Sequence, residues 1–226
     1  MADSNDFQPA DRRPIASRRL AWVRATASWL VRRGVSPNGI SASSTVFAVA
    51  GASAIVATPH FTGIEHRVLW FAAALCVQLR LLANLFDGMV AMESGKASPV
   101  GELFNEVPDR LSDAALLVAL GFVQGSSVHL GYAAAILAVF VAYLRAMGGV
   151  AGAGQVFAGI MAKPQRMFLV TVLCLFHTFA PESWVGAFLP LDLGPPALVL
   201  SAICAGCVVT SLTRLSTIGQ KLRAAA

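Results

Sequence analysis

Charge is scarce in this chain, and that scarcity constrains its fold more than any other feature. Only 13 % of its 226 residues are Asp, Glu, Lys or Arg, while 56 % are hydrophobic. An ordinary soluble domain carries about 25 % charge, and so few charges cannot cover the surface of a small protein facing water. They suffice if lipid covers much of it. Six apolar stretches, roughly 39–57, 68–92, 102–124, 129–148, 166–180 and 196–213, are each about long enough to cross ~30 Å of hydrocarbon at ~1.5 Å per residue. The expectation is an all-α integral membrane protein with six transmembrane helices.

Those spans are expected to follow an N-terminal interfacial amphipathic helix over residues 15–34, where Trp22 and Trp29 share a helical face of a basic segment. Residues 1–14, with their Pro, Asp and Ser, read as a disordered lead-in. The six-span domain is drawn over 35–215 and a cytoplasmic tail over 216–226. The polar lead-in, with no short apolar core and cleavage site after it, does not resemble a signal peptide.

The few charges are unevenly placed. With the N-terminus inside, fourteen of the seventeen basic residues fall on the cytoplasmic side and only Arg67 on the outer side; Arg80 and Arg110 lie within spans. That bias orients the chain with both termini cytoplasmic, as in a multi-pass protein of a bacterial inner membrane. The net charge of +5 is concentrated beside apolar segments, so it suits anionic lipid rather than nucleic acid. All four cysteines lie in apolar runs, which excludes a secreted disulfide scaffold; Cys204-x-x-Cys207 has no nearby His or acid and reads as helix packing.

Six of the twelve acids fall between Asp87 and Asp113, and ionisable residues within spans are functional candidates by default. At helical spacing Arg80, Asn84, Asp87 and Ala91 share one face of the second span, with Gly88 beside them. Gly101, Asn105, Asp109 and Asp113, each four apart, form a slowly winding stripe on the third. A short loop, 93–100, makes the two spans antiparallel neighbours, so the stripes can face each other near the cytoplasmic surface.

Facing carboxylate and amide oxygens suit hard divalent cations such as Mg²⁺, Mn²⁺ or Ca²⁺, and the lack of His or Cys argues against zinc or copper. Such a site at a membrane surface points to phosphate chemistry. Gly88 and Ala91 leave room for a nucleotide or phosphate to approach the backbone, and Pro108, lacking an N–H, releases a nearby carbonyl. Structural ion pairs are the competing use of these charges, with Arg80 to Asp87 and Arg110 to Asp113 as available partners. Arg145, Lys163 and Arg166 suit an acceptor phosphate or a lipid head group, and equally suit plain positive-inside residues. The glycine-rich run 148–159 reads either as a phosphate cradle or as a flexible connection. The four histidines carry no assigned role.

Asn84-x-x-Asp87-Gly88-x-x-Ala91, then eight residues after Met92, then Gly101-x-x-x-Asn105-x-x-x-Asp109 resembles the CDP-alcohol phosphotransferase signature. That signature has the form D-x-x-D-G-x-x-A-R, a spacer, then G-x-x-x-D-x-x-x-D. Ser36-Pro37-Asn38-Gly39-Ile40-Ser41 is similar to the stretch opening the family's first span. Tyr143-Leu144-Arg145 and Lys163-x-x-Arg166 are placed as the family places basic residues.

The resemblance implies an enzyme that moves a substituted phosphate from a CDP-linked lipid, such as CDP-diacylglycerol, to an alcohol and releases CMP. It implies Mg²⁺ or Mn²⁺, one or two ions, held by Asn84, Asp87, Asn105 and Asp109; of the nearby acids Glu106, Asp109 and Asp113 that could make up for the missing charge, Asp113, one turn beyond Asp109 on nearly the same face, is the best replacement. On the same reading Asp109 takes the proton from the attacking alcohol. Gly88, Ala91 and Gly101 make room for the nucleotide, Lys163 and Arg166 serve a phosphorylated acceptor, and relatives are often homodimers.

The chain departs from the pattern at three points: Asn84 and Asn105 stand where the family has acids, and Met92 stands where it has arginine. Two alternatives follow: a catalytically silent relative that binds CDP-lipid or scaffolds other enzymes, and a small transporter. Confinement of the charges to one membrane face weighs against the transporter.

Overall fold

The computed structural model describes residue 18 and residues 20–96, 98–181, 184 and 190–225. The expected lead-in over 1–14 and most of the first six residues of the expected interfacial helix lie outside them. Among the described residues there are seven α-helices and no strand: α1 (Ala21–Arg32), α2 (Pro37–Ala57), α3 (Gly63–Glu93), α4 (Pro99–Gly121), α5 (Val128–Val150), α6 (Lys163–Phe179) and α7 (Pro195–Ala225). The last of these continues past the expected span end, so residues 216–225 extend a helix.

Four of the helical segments are long and apolar enough to cross a membrane: Pro37–His60, α3, α5 and α7. The chain is thus read as a multi-pass membrane protein. Outward residues such as Val46, Val49, Leu198, Val208 and Leu212 remain exposed, a surface that favours lipid over water. The other two expected spans stand apart for different reasons. α4 carries Glu102, Glu106, Asp109, Arg110 and Asp113, and α6 has 17 residues, about 26 Å of helix at ~1.5 Å per residue.

The chain divides into two compact units. Residues 1–47 and 78–109 form one; residues 48–77 and 110–226 form the other. Helices α2, α3 and α4 contribute to both.

In the first unit a small core gathers Ile40 from α2 with Ala83 and Val90 from α3, and Leu30, Val31, Val35 and Phe86 pack against it. α1 turns Val23 and Ala27 inward and leaves Trp22 and Trp29 about half exposed. Arg33 stacks its guanidinium 5.4 Å from the Trp29 ring, and Ser28 donates a hydrogen bond to Glu93 at the end of α3. Two helices in this unit begin with the same device. Ser36 Oγ accepts from Gly39 N at 3.1 Å, and Ser98 Oγ accepts from Gly101 N at 3.0 Å. In each, a serine caps the third helical residue and a proline takes the first position, where no N–H is needed.

In the second unit α5 and α6 both pack on α7. Ala134, Ala135 and Ala138 are buried on α5 and Cys207 and Thr210 on α7, while Gly131 lies against the end of α4, 2.9 Å from Gly121 Cα for a Cβ placed there, and Gly206 lies against Met161. The glycine-rich connection between α5 and α6 lies fastened to α7. Met161 N donates to Thr210 Oγ1 at 2.9 Å, Arg214 Nε to Ala158 O at 3.0 Å and Lys221 Nζ to Ala153 O at 3.2 Å. Gly159, at φ +112°, passes so close that a Cβ there would sit 2.3 Å from Thr210 Cγ2. The glycine cluster therefore serves close approach of this connection to α7, a use the sequence reading did not separate from a phosphate cradle or a flexible loop.

Candidate active site

The expected site residues of the first unit lie on α3 and α4. Arg80, Asn84, Asp87, Gly88 and Ala91 occupy the C-terminal half of α3; Gly101, Asn105 and Asp109 occupy the first turns of α4. The connection between the helices closes tightly, with Lys96 N donating to Ala91 O at 3.0 Å and Gly95 at φ +66°.

Asp109 is the centre of the polar contacts. Its Oδ1 accepts from Arg80 Nη2 at 2.6 Å and from Asn84 Nδ2 at 2.7 Å, and its backbone carbonyl accepts from the same Arg80 nitrogen at 3.0 Å. Arg80 has no exposed surface and Asp109 only 8 %, so the pair stands in a low-dielectric setting. Arg80 and Asn84 are one turn apart on α3, which is why both reach the same carboxylate across the helix pair.

Asp87 is buried and takes a different partner. Its Oδ2 accepts from Ser41 Oγ on α2 at 2.8 Å. The Pro-Asn stretch that opens α2 thus leads directly to a side chain gripping the site. Ser44, one turn further, donates to the Arg80 carbonyl at 3.5 Å.

Arg80 pairs with Asp109 across helices. Asp113, in the second unit, accepts from Arg166 Nη2 at 3.0 Å, both side chains being 2 % exposed; Arg166 Nη1 also donates to Met161 O at 3.0 Å. Asp113 and Arg166, expected to serve an ion and an acceptor, are therefore joined to each other here. Lys163 stands at the start of α6.

Gly88 lines a shallow groove with Arg18, Met89, Met92 and Glu93. Met92 thus faces open space on the side where a nucleotide is expected. Gly101 has a local duty as well: its N–H binds the Ser98 cap, and a Cβ there would lie 3.1 Å from Ser98 Oγ. Asn105 is half-buried on the first half of α4. Ser41 and the bond from Arg80 were the contributions missed in the sequence. The signal for the second was present, since an arginine within an apolar run must have a buried partner.

These residues fit a resident divalent ion poorly. A hard cation needs several oxygens, and its affinity rises with the number of charged ones. Here Asn84 turns its amide N–H, not its oxygen, toward Asp109, and a guanidinium is on the same carboxylate oxygen. Among the described residues no three His, Cys, Asp or Glu side chains gather as an ion would require.

A family model described as CDP-alcohol phosphatidyltransferase matches residues 35–212. The phosphatidylinositol phosphate synthase of Streptomyces avermitilis is 25 % identical over 204 residues, covering 86 % of this chain and 77 % of that protein. A crystal structure of phosphatidylinositol phosphate synthase from Mycobacterium tuberculosis with CDP-DAG bound superposes with a TM-score of 0.66 at 22 % identity, covering 87 % of this chain and 92 % of that one. The same enzyme in complex with manganese and citrate gives 0.66 at 22 % identity, over 87 % and 88 % of the two chains. At that identity the two structures establish a shared fold.

Proposed function

The chain belongs to the CDP-alcohol phosphatidyltransferase family, and from that premise we propose that it transfers a substituted phosphate from a CDP-linked lipid to an alcohol and releases CMP, as a step in phospholipid synthesis. One observation carries the reading: Asp87, Gly88 and Ala91 on α3 and Gly101 and Asp109 on α4 keep the family's spacing, and both aspartates are buried and held by named partners. The donor is a CDP-diacylglycerol-like lipid. The acceptor is a phosphorylated polyol of the inositol phosphate kind, supported by the names of the relatives and by Lys163 at the start of α6.

The site sits at the cytoplasmic face of six crossings, α4 and α6 completing the four apolar segments, with α1 lying on the membrane surface and both termini cytoplasmic. A homodimer is the expected assembly.

In the reaction the acceptor hydroxyl attacks the lipid-bearing phosphorus of the diphosphate, the bond to the CMP oxygen breaks, and CMP leaves. Gly88 and Ala91 give the nucleotide room beside the groove. Asp109 takes the hydroxyl proton. No step is assigned to a divalent ion, because the donor set around Asp109 suits one poorly.

The test is CMP release by the purified protein in lipid nanodiscs containing CDP-diacylglycerol, with inositol phosphate, glycerol 3-phosphate and serine as acceptors, and with Mg²⁺, Mn²⁺ or chelator added. CMP release with a phosphorylated acceptor is expected. Asp109→Asn should then lower turnover by about 10²–10⁴ while CDP-lipid affinity changes little. Full turnover in Asp109→Asn would remove Asp109 from the role. A second reading, a catalytically silent CDP-lipid binder, is favoured by Asn84 and Asn105 and by the guanidinium on Asp109. It stands if the lipid binds and no acceptor yields CMP.

A further inference from the structure

The geometry points to Arg80 as the permanent cation of this site, occupying by its charge the place that a divalent ion would need. Three observations converge on it. The motif positions that carry acids in the family hold only two here, Asp87 and Asp109, because Asn84 and Asn105 are neutral. One of those two is bound by Arg80 twice, through Oδ1 at 2.6 Å and through its own carbonyl at 3.0 Å. Asn84 then closes the gap that an ion would bridge, with an N–H···O bond of 2.7 Å to the same oxygen.

The charge arithmetic agrees. Four carboxylates carry −4 and call for divalent cations to balance them. Two carboxylates and one guanidinium carry −1, which leaves little to hold an ion of +2 before a phosphate arrives. Arg80 is completely buried within an apolar helix. A guanidinium is costly there unless it meets an anion, so its pairing with Asp109 belongs to the resting protein. A planar, always protonated group held at two points cannot be exchanged as a bound ion can. The loss of two acids and the presence of Arg80 are thus two sides of one change. The resting protein retains no Mg²⁺ or Mn²⁺, and any ion that enters comes with the diphosphate of the ligand.

The proposal rests on the family reading only for where the acids would be, and its test needs neither lipid nor turnover. Purified full-length protein in detergent is titrated with Mn²⁺ alone, and the free ion is followed by electron paramagnetic resonance. Wild type should leave the aqueous Mn²⁺ signal undiminished up to about 1 mM, outside the range of a well-charged site. Asn84→Asp with Asn105→Asp should bind weakly, since Arg80 still competes. Adding Arg80→Leu to that pair should tighten Mn²⁺ by roughly ten-fold or more.

Micromolar Mn²⁺ binding by wild type would overturn the proposal, and so would equal affinities with and without Arg80 in the restored background. If the triple variant fails to fold by circular dichroism, the wild-type titration decides alone. Absent CMP release beside an undiminished Mn²⁺ signal would sink the transferase reading and leave this one standing.

Discussion

Arg80→Leu should be among the most damaging single changes in the first unit. Arg80 has no exposed surface, and its partner Asp109 is 8 % exposed, so removing the guanidinium strands a carboxylate that water barely reaches. Breaking a buried pair from one side costs about 3–5 kcal/mol. Asp109→Leu strands the opposite charge at a similar cost of about 3–5 kcal/mol. The double variant removes both charges and loses mainly the hydrogen bonds at the Asp109 carbonyl and at Asn84, about 1–3 kcal/mol. The four proteins form a cycle whose coupling should be at least about 2 kcal/mol, the double variant being more stable than either single one. Unfolding by SDS titration in mixed micelles, followed by circular dichroism, reads each step. A coupling below about 0.5 kcal/mol would refute the reasoning, because that is what independent sites give.

Gly159→Ala should destabilise the second unit by about 2–4 kcal/mol, since φ +112° is strained for alanine and its Cβ would meet Thr210 Cγ2 at 2.3 Å. Thr210→Ser in the same protein should recover only part of the steric cost, because serine loses Cγ2 but keeps the Cβ at 2.8 Å and the hydroxyl oxygen at 2.9 Å from the new methyl; thermal melting in detergent compares the three. Ser98→Ala removes the cap on Gly101 N and should cost about 1 kcal/mol, seen as faster hydrogen exchange in the first turn of α4.

The architecture was largely legible because its signals are local. The all-helical character, the stretches holding the four apolar segments and the position of the α3–α4 site all follow from hydropathy, period and the short loop after Glu93. The caps at Ser36 and Ser98 were equally local, although Gly101 was assigned to nucleotide space before its duty to the cap was visible. The partners of buried charges were not legible in this way. Arg80 had Asp87 on its own face and Asp109 on another helix. Helical period points only to the first, and the contact with the second depends on how α3 and α4 pack. Arg166 and Asp113 are 53 residues apart and meet only through the packing of the second unit. The glycine run before α6 showed its purpose only when Thr210, Arg214 and Lys221 came to meet it.

The two asparagines then take on a different meaning. Read along the chain, Asn84 and Asn105 look like losses from a metal-binding pattern, and other acids nearby look like replacements. Asp113, the best placed of them, is joined to Arg166. Asp109 is met by an arginine from within the protein, and Asn84 supplies an N–H that a carboxylate at that position could not. An aspartate at 84 would place a second negative charge beside Asp109 and compete with it for Arg80. Asparagine at 84 and arginine at 80 are therefore mutually consistent: an aspartate at 84 without Arg80 would leave two buried carboxylates side by side with no cation between them.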